Sequence, residues 1–153
     1  MAVLEVGINI GMKNLVDIKY YSSSDKILNP DIRAKFLTGL ENFITDIFGD
    51  ELNVISLSSF EIVCCYQMVQ SPNKTANTTK PLLSYAIIEK STDHNFVKKH
   101  LQEIISHFLN RYSLDNLFSK KPRYFKDFIQ QIDEILGDLR LTKEDRIRSI
   151  FKY

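Results

Sequence analysis

The chain has 153 residues, 44% of them hydrophobic and 25% charged, which is enough for one domain with a core of ordinary size. Its 20 Lys and Arg against 19 Asp and Glu leave a formal charge of +1, a balance that excludes gripping nucleic acid along its length, since that needs a clustered basic excess. No uninterrupted apolar run approaches the ~20 residues of a membrane-crossing helix, and Met1-Ala2-Val3-Leu4-Glu5 lacks a basic leader start, so the sequence predicts a cytoplasmic protein.

In chain order, Leu4, Val6, Ile8 and Ile10 alternate with Glu5, Gly7 and Asn9, as in a half-buried strand. After the turn-like Gly11-Met12-Lys13-Asn14, Val16, Ile18 and Tyr20 alternate with Asp17, Lys19 and Tyr21 as a second strand. The polar break Ser22-Ser23-Ser24-Asp25 follows, and Asn29-Pro30 then offers a cap and a first-turn proline for a helix. Its apolar positions Phe36, Leu37, Leu40, Phe43, Ile44, Ile47 and Phe48 fall within an arc of about 160°, and Gly49 stands at the expected C-terminal cap.

Three further strands are predicted at 52–57, 60–69 and 82–88. In the second of these, Phe60, Ile62, Cys64, Tyr66 and Met68 make one face while Val63, Cys65 and Val69 make the other. A strand apolar on both sides belongs in a sheet covered on both sides. Residues 70–81 are almost free of apolar side chains and read as an exposed hairpin loop. A second helix is predicted from a cap at Thr92 or Asp93 to about Tyr112, with Val97, Leu101, Ile104, Ile105, Phe108 and Leu109 on its stripe. A third stripe spans 124–139 through Phe125, Phe128, Ile132 and Leu136, approached by Pro122 and weakened at Gly137. Thr142-Lys143-Glu144-Asp145 offers a cap for a short final helix ending at Phe151.

Candidate chemistry is sparse. Cys64 and Cys65 are adjacent, so in a strand they point to opposite faces and do not bridge; buried small residues are the simplest reading. Asn73-Lys74-Thr75 and Asn77-Thr78-Thr79 match the glycosylation pattern but carry no weight in a chain without a leader. His100, Glu103 and His107 share one side of the second helix, yet they flank its apolar stripe, and no Cys or Asp cluster supplies a fourth ligand. No Gly-x-Ser-x-Gly turn positions a nucleophile, and Gly7 with Gly11 makes no phosphate-cradling loop. These residues predict neither an enzyme nor a cofactor or metal. Lys120-Lys121-Pro122-Arg123 offers a weak contact for an anionic membrane, against the simpler reading of a solvated linker because Asp127, Asp133 and Glu134 follow.

The element order ββαβββα, with Asn29-Pro30, Phe36-Leu37-x-x-Leu40-x-x-Phe43 and Phe48-Gly49, resembles the longin domain of the roadblock/longin group of profilin-like α/β (α+β) folds. The resemblance covers residues 1–113, with 114–153 as a C-terminal helical extension packed on or flanking the same domain. It implies a five-stranded antiparallel sheet of order 2-1-5-4-3, one helix on one face and two on the other. It is also similar to longin-like proteins of archaea rich in small GTPases. Implied with it is a non-catalytic platform in membrane-traffic-like processes, which dimerises with itself or a related longin or roadblock domain and regulates or recruits a small GTPase. The implied partner surface is the first helix with the third strand, here Phe36, Phe43 and Ile47 with Val54, Ile55 and Leu57. Physics points to the same place, because Leu52-Asn53-Val54-Ile55-Ser56-Leu57 carries neither Pro nor Lys to blunt edge pairing. The tail has no heptad-like segment, which disfavours a membrane-fusion SNARE. A different class, a small-molecule sensor of GAF or PAS type, would need a cavity lined by residues such as Tyr66, Tyr85 and the His100 side.

Overall fold

The computed structural model describes residues 3–11, 13–20, 54–56, 60–72, 79–90 and 92–140. They form a mixed α+β fold around one antiparallel sheet. Its strands are β1 (Val3–Ile10), β2 (Lys13–Lys19), the short β3 (Val54–Ser56), β4 (Phe60–Gln70) and β5 (Thr79–Glu89), in the spatial order β2-β1-β5-β4-β3. The helices are α1 (His94–Arg111), α2 (Leu114–Ser119) and α3 (Phe128–Leu136), with 3-10 turns at Pro122–Phe125 and Gly137–Arg140. The helix predicted between Asn29 and Gly49 and the short one after Thr142 lie outside the described residues.

The β1–β2 connection is tight because Gly11 adopts a φ of 57°, which costs a residue without Cβ little. An irregularity follows, with Ile8 opposite Val16 but Asn9 opposite Asn14, so Leu15 is the extra residue of a bulge. The Asn14 side-chain amide donates to Asn9 Oδ1 at 2.7 Å and to the Val16 carbonyl at 3.1 Å, which pins that irregularity. β4 and β5 pair without interruption from Phe60↔Glu89 to Gln70↔Thr79, longer at the loop end than their apolar patterns predict. Backbone pairing there extends a ladder into residues whose side chains are exposed.

The three described helices pack on one face of the sheet. Val6, Ile8 and Ile10 of β1, Val63 and Val69 of β4, and Leu82, Ala86 and Ile88 of β5 form one cluster with Val97, Leu101, Ile104 and Phe108 of α1, Leu117 of α2 and Phe128, Ile132 and Leu136 of α3. Helix α1 begins where Asp93 accepts the Asn95 and Phe96 N–H groups at 3.0 and 3.3 Å, which selects Asp93 over Thr92 as the cap. Thr92 instead donates its hydroxyl to the Glu89 carbonyl at 2.8 Å. Edge-to-face ring contacts knit the helices together, Phe108 with Phe128 at 4.9 Å and Tyr112 with Phe125 at 4.9 Å. Residues 114–140 therefore complete the core that the sheet and α1 begin.

Three features differ from the sequence pattern. The stripe at 124–139 is not one helix: Pro122 opens a 3-10 turn that sends Phe125 into the core, Lys126 and Asp127 turn the chain, and α3 ends at Gly137, whose φ is 54°. The short α2, capped by the Ser113 hydroxyl on the Asn116 N–H, fills a stretch for which the pattern predicts no helix. β1, in turn, is not half-buried. Glu5 and Asn9 are 0% and 3% exposed, because β1 lies inside the sheet between β2 and β5 and its second face is shielded too.

Candidate functional site

The second face is the more specialised one. Along β5, Leu83, Tyr85 and Ile87 alternate with the residues of the helix-packed cluster and so point the other way. Gly7 is paired with Tyr85 on one side and Asp17 on the other, and Tyr85 is paired with Cys64, so these positions form one row across four strands. The Tyr85 ring lies directly over Gly7, where a Cβ would overlap the ring. Tyr85 itself is 1% exposed. This explains the glycine in mid-strand by close approach of a side chain.

That placement also separates the residues of the predicted sensor cavity. Tyr85 faces away from the helix-packed side, whereas His100 stands on α1, so the sheet lies between them. Tyr66 is paired with Leu83 and so lies on the Tyr85 side of the sheet, which leaves His100 cut off from both. The three residues do not converge on one space.

The histidines are individually engaged. His100 Nδ1 bonds the Phe96 carbonyl at 2.8 Å, its ring against that of Phe96. His107 bonds Gln131 of α3 at 2.8 Å through Nδ1 and lies 3.7 Å from Glu103 through Nε2. His94 pairs with Glu61 of β4 at 2.9 Å and so ties the start of α1 to the sheet. Among the described residues no group of three or more His, Cys, Asp or Glu side chains is arranged to hold a metal ion.

Neither Cys64 nor Cys65 is in a disulfide, and Cys64 is buried while Cys65 is half-buried. Burial, with a smaller contribution from Cys65, pushes the Cys64 thiol up to about 12, so it stays protonated near neutrality and is a poor nucleophile. Tyr20, just after β2, donates its hydroxyl to Asp133 of α3, and burial followed by that carboxylate pushes its phenol well above the usual range. The bond ties the end of β2 to α3. Nothing in the local pattern of either residue signals it, because they are far apart in the chain.

Of the predicted partner surface, Val54 and Ile55 lie in β3, while Phe36, Phe43, Ile47 and Leu57 lie outside the described residues. β3 pairs antiparallel with β4 through Val54↔Val63, Ile55↔Ile62 and Ser56↔Glu61. It is the last strand of the sheet on that side, and no described strand pairs with its outer edge. At the other edge, β2 is buttressed by Tyr20–Asp133 and by Lys13, whose ammonium donates to the Lys120 carbonyl. Among the described residues no helix is long and apolar enough to cross a membrane. No family model matches this chain, and no curated protein matches it either.

Proposed function

We propose that this chain is a non-catalytic, longin-like interaction module that dimerises and regulates or recruits a small GTPase, with β3 as the strand it offers to partners. The observation that carries this reading is the position of β3 at the edge of the sheet, flanked only by β4 among the described residues. A strand so placed has backbone N–H and C=O groups along its outer side that pair readily with another chain.

The chain path supports the longin likeness as well. β2 and β3 follow one another among the described strands yet occupy opposite edges, and away from the loop end of β4 and β5 the three central strands are shielded on both faces. In this reading the amphipathic stretch from Ile32 to Phe48 covers the second face, whose Ile62, Cys64, Leu83, Tyr85 and Ile87 are buried, and helices flank the sheet on both sides. The longin likeness assigns Phe36, Phe43 and Ile47 to the same partner surface as β3.

A pull-down of small GTPases from the same genome, each loaded in turn with GDP and a non-hydrolysable GTP analogue, tests the assignment. Retention of at least one GTPase, weakened by Val54→Lys or Ile55→Lys, is expected. A chain that retains none in either nucleotide state contradicts the recruitment role.

A further inference from the structure

The sequence between Ser113 and Glu134 mixes cations and carboxylates so closely that it reads as neutral. Folding separates them. Lys120, Lys121 and Arg123, with Ser119 and Tyr124, line a shallow depression of about 310 Å³. Asp127, Asp133 and Glu134 line a different groove with Arg111 and Lys126. The Asp133 carboxylate is further engaged by the Tyr20 hydroxyl. Lys13 of β2 reaches the same knuckle from the sheet by donating to the Lys120 carbonyl, so four cations gather there and Asp115 is the acidic residue on its helix.

The knuckle is held in shape before any ligand arrives. Leu117 and Phe125, both 0% exposed, anchor it at two points in the core. Between them the Ser119 hydroxyl donates to the Asp115 carbonyl at 2.7 Å, the Lys120 N–H to Asn116 at 2.9 Å, and the Tyr124 N–H to Lys121 at 3.0 Å. The loop backbone therefore loses little freedom on docking.

The apolar partners of these cations decide what kind of surface they fit. Tyr124 is 45% exposed, its ring 5.3 Å from the Lys120 ammonium and its hydroxyl accepting from the Asn116 amide, and Leu114 on the same short helix is 36% exposed. Lysine and arginine around an exposed tyrosine and leucine match the headgroup level of a bilayer, where charges meet acidic phosphates and the ring enters the interface. We propose that this knuckle, Lys13 with residues 114–124, docks the protein on a lipid surface carrying acidic headgroups. It sits against β2, the edge opposite β3, so docking leaves the proposed partner strand accessible. The proposal stands apart from the interaction-module reading, and a vesicle assay without protein partners tests it alone.

The full chain is sedimented with phosphatidylcholine vesicles made with and without phosphatidylserine, at low and raised salt. Binding to the acidic vesicles alone is expected, weakened by salt and by about fivefold for each cation removed, so that Lys120→Gln, Lys121→Gln and Arg123→Gln together weaken it on the order of a hundredfold. Circular dichroism checks that the triple variant is folded. Because the chain contains no Trp, Tyr124→Trp is a unique reporter. Its emission should shift to the blue on acidic vesicles and be quenched by brominated lipid. Phe96→Trp, roughly 20 Å away at the far end of α1, should not respond. No sedimentation, equal binding to neutral vesicles, or no loss in the triple variant overturns the proposal. A reporter at position 124 that stays in water while the chain binds polyglutamate also overturns it, and assigns the knuckle to an acidic protein instead.

Discussion

The two faces of the sheet are built from different materials. On the helix-packed face, aliphatic strand residues meet Phe108, Phe125 and Phe128, and adhesion comes from apolar area and ring contacts. On the second face, Glu5, Asn9 and the Tyr85 ring lie among Ile62, Cys64, Leu83 and Ile87, and Gly7 makes room for the tyrosine. An apolar interface tolerates small adjustments, whereas polar groups in a shielded row need fixed partners and fixed distances. The first face should therefore dominate global stability, and the second should respond most sharply to small changes of shape.

The largest effect is expected from truncating the first face. Phe128→Ala removes a fully buried ring that contacts Phe108 and Tyr112, and should lower stability by about 3–5 kcal/mol in urea denaturation. Next comes the smallest change on the second face. Gly7→Ala forces the Tyr85 ring to move and should cost about 1–3 kcal/mol although it adds one methyl group. In a Tyr85→Leu background the same substitution should cost measurably less, and a double-mutant cycle showing no coupling would break the assigned contact. Asp93→Ala removes the cap that starts α1 and should cost about 1 kcal/mol.

The smallest effect at neutral pH, and a distinct one in alkali, belongs to the buried thiol. The Cys64 pKa is raised from 9.0 to about 12, so the folded state holds a proton that the unfolded chain releases. Its contribution is fully present below pH 9 and lost as the pH rises toward 12. Cys64→Ala should flatten that part of the alkaline decline, measured as the urea midpoint against pH. Tyr20→Phe should flatten a further part above pH 10, because burial and the Asp133 carboxylate also raise the Tyr20 phenol above its ordinary value of 10.0.

The helix-packed face was largely legible in the sequence, since the stripe Val97, Leu101, Ile104 and Phe108 repeats at helical spacing and every one of these residues is buried. The β4 alternation likewise marked a strand apolar on both sides. Glu5 and Asn9 misled because a strand alternating apolar with polar looks solvent-facing, and only its place inside the sheet shows that both sides are shielded. The broken third stripe misled because periodicity persists across Lys126 and Asp127 even though a 3-10 turn and a positive-φ glycine interrupt the helix. Of the proposed partner surface, the sequence around Val54 and Ile55 carries no Pro or Lys to blunt pairing, and β3 lies at the edge of the described sheet. The basic run at 120–123 was readable as a weak contact for an anionic membrane set against a solvated linker, because its separation from Asp127, Asp133 and Glu134 is a product of folding.

The most direct measurement of the interaction-module proposal is light scattering on the purified chain over a range of concentrations. A concentration-dependent mass approaching twice the 17.8 kDa of the monomer is expected, returning to the monomer value in Ile55→Lys at unchanged circular dichroism. A strict monomer at every concentration, or a dimer indifferent to substitutions at Val54 and Ile55, would contradict β3 as the pairing strand.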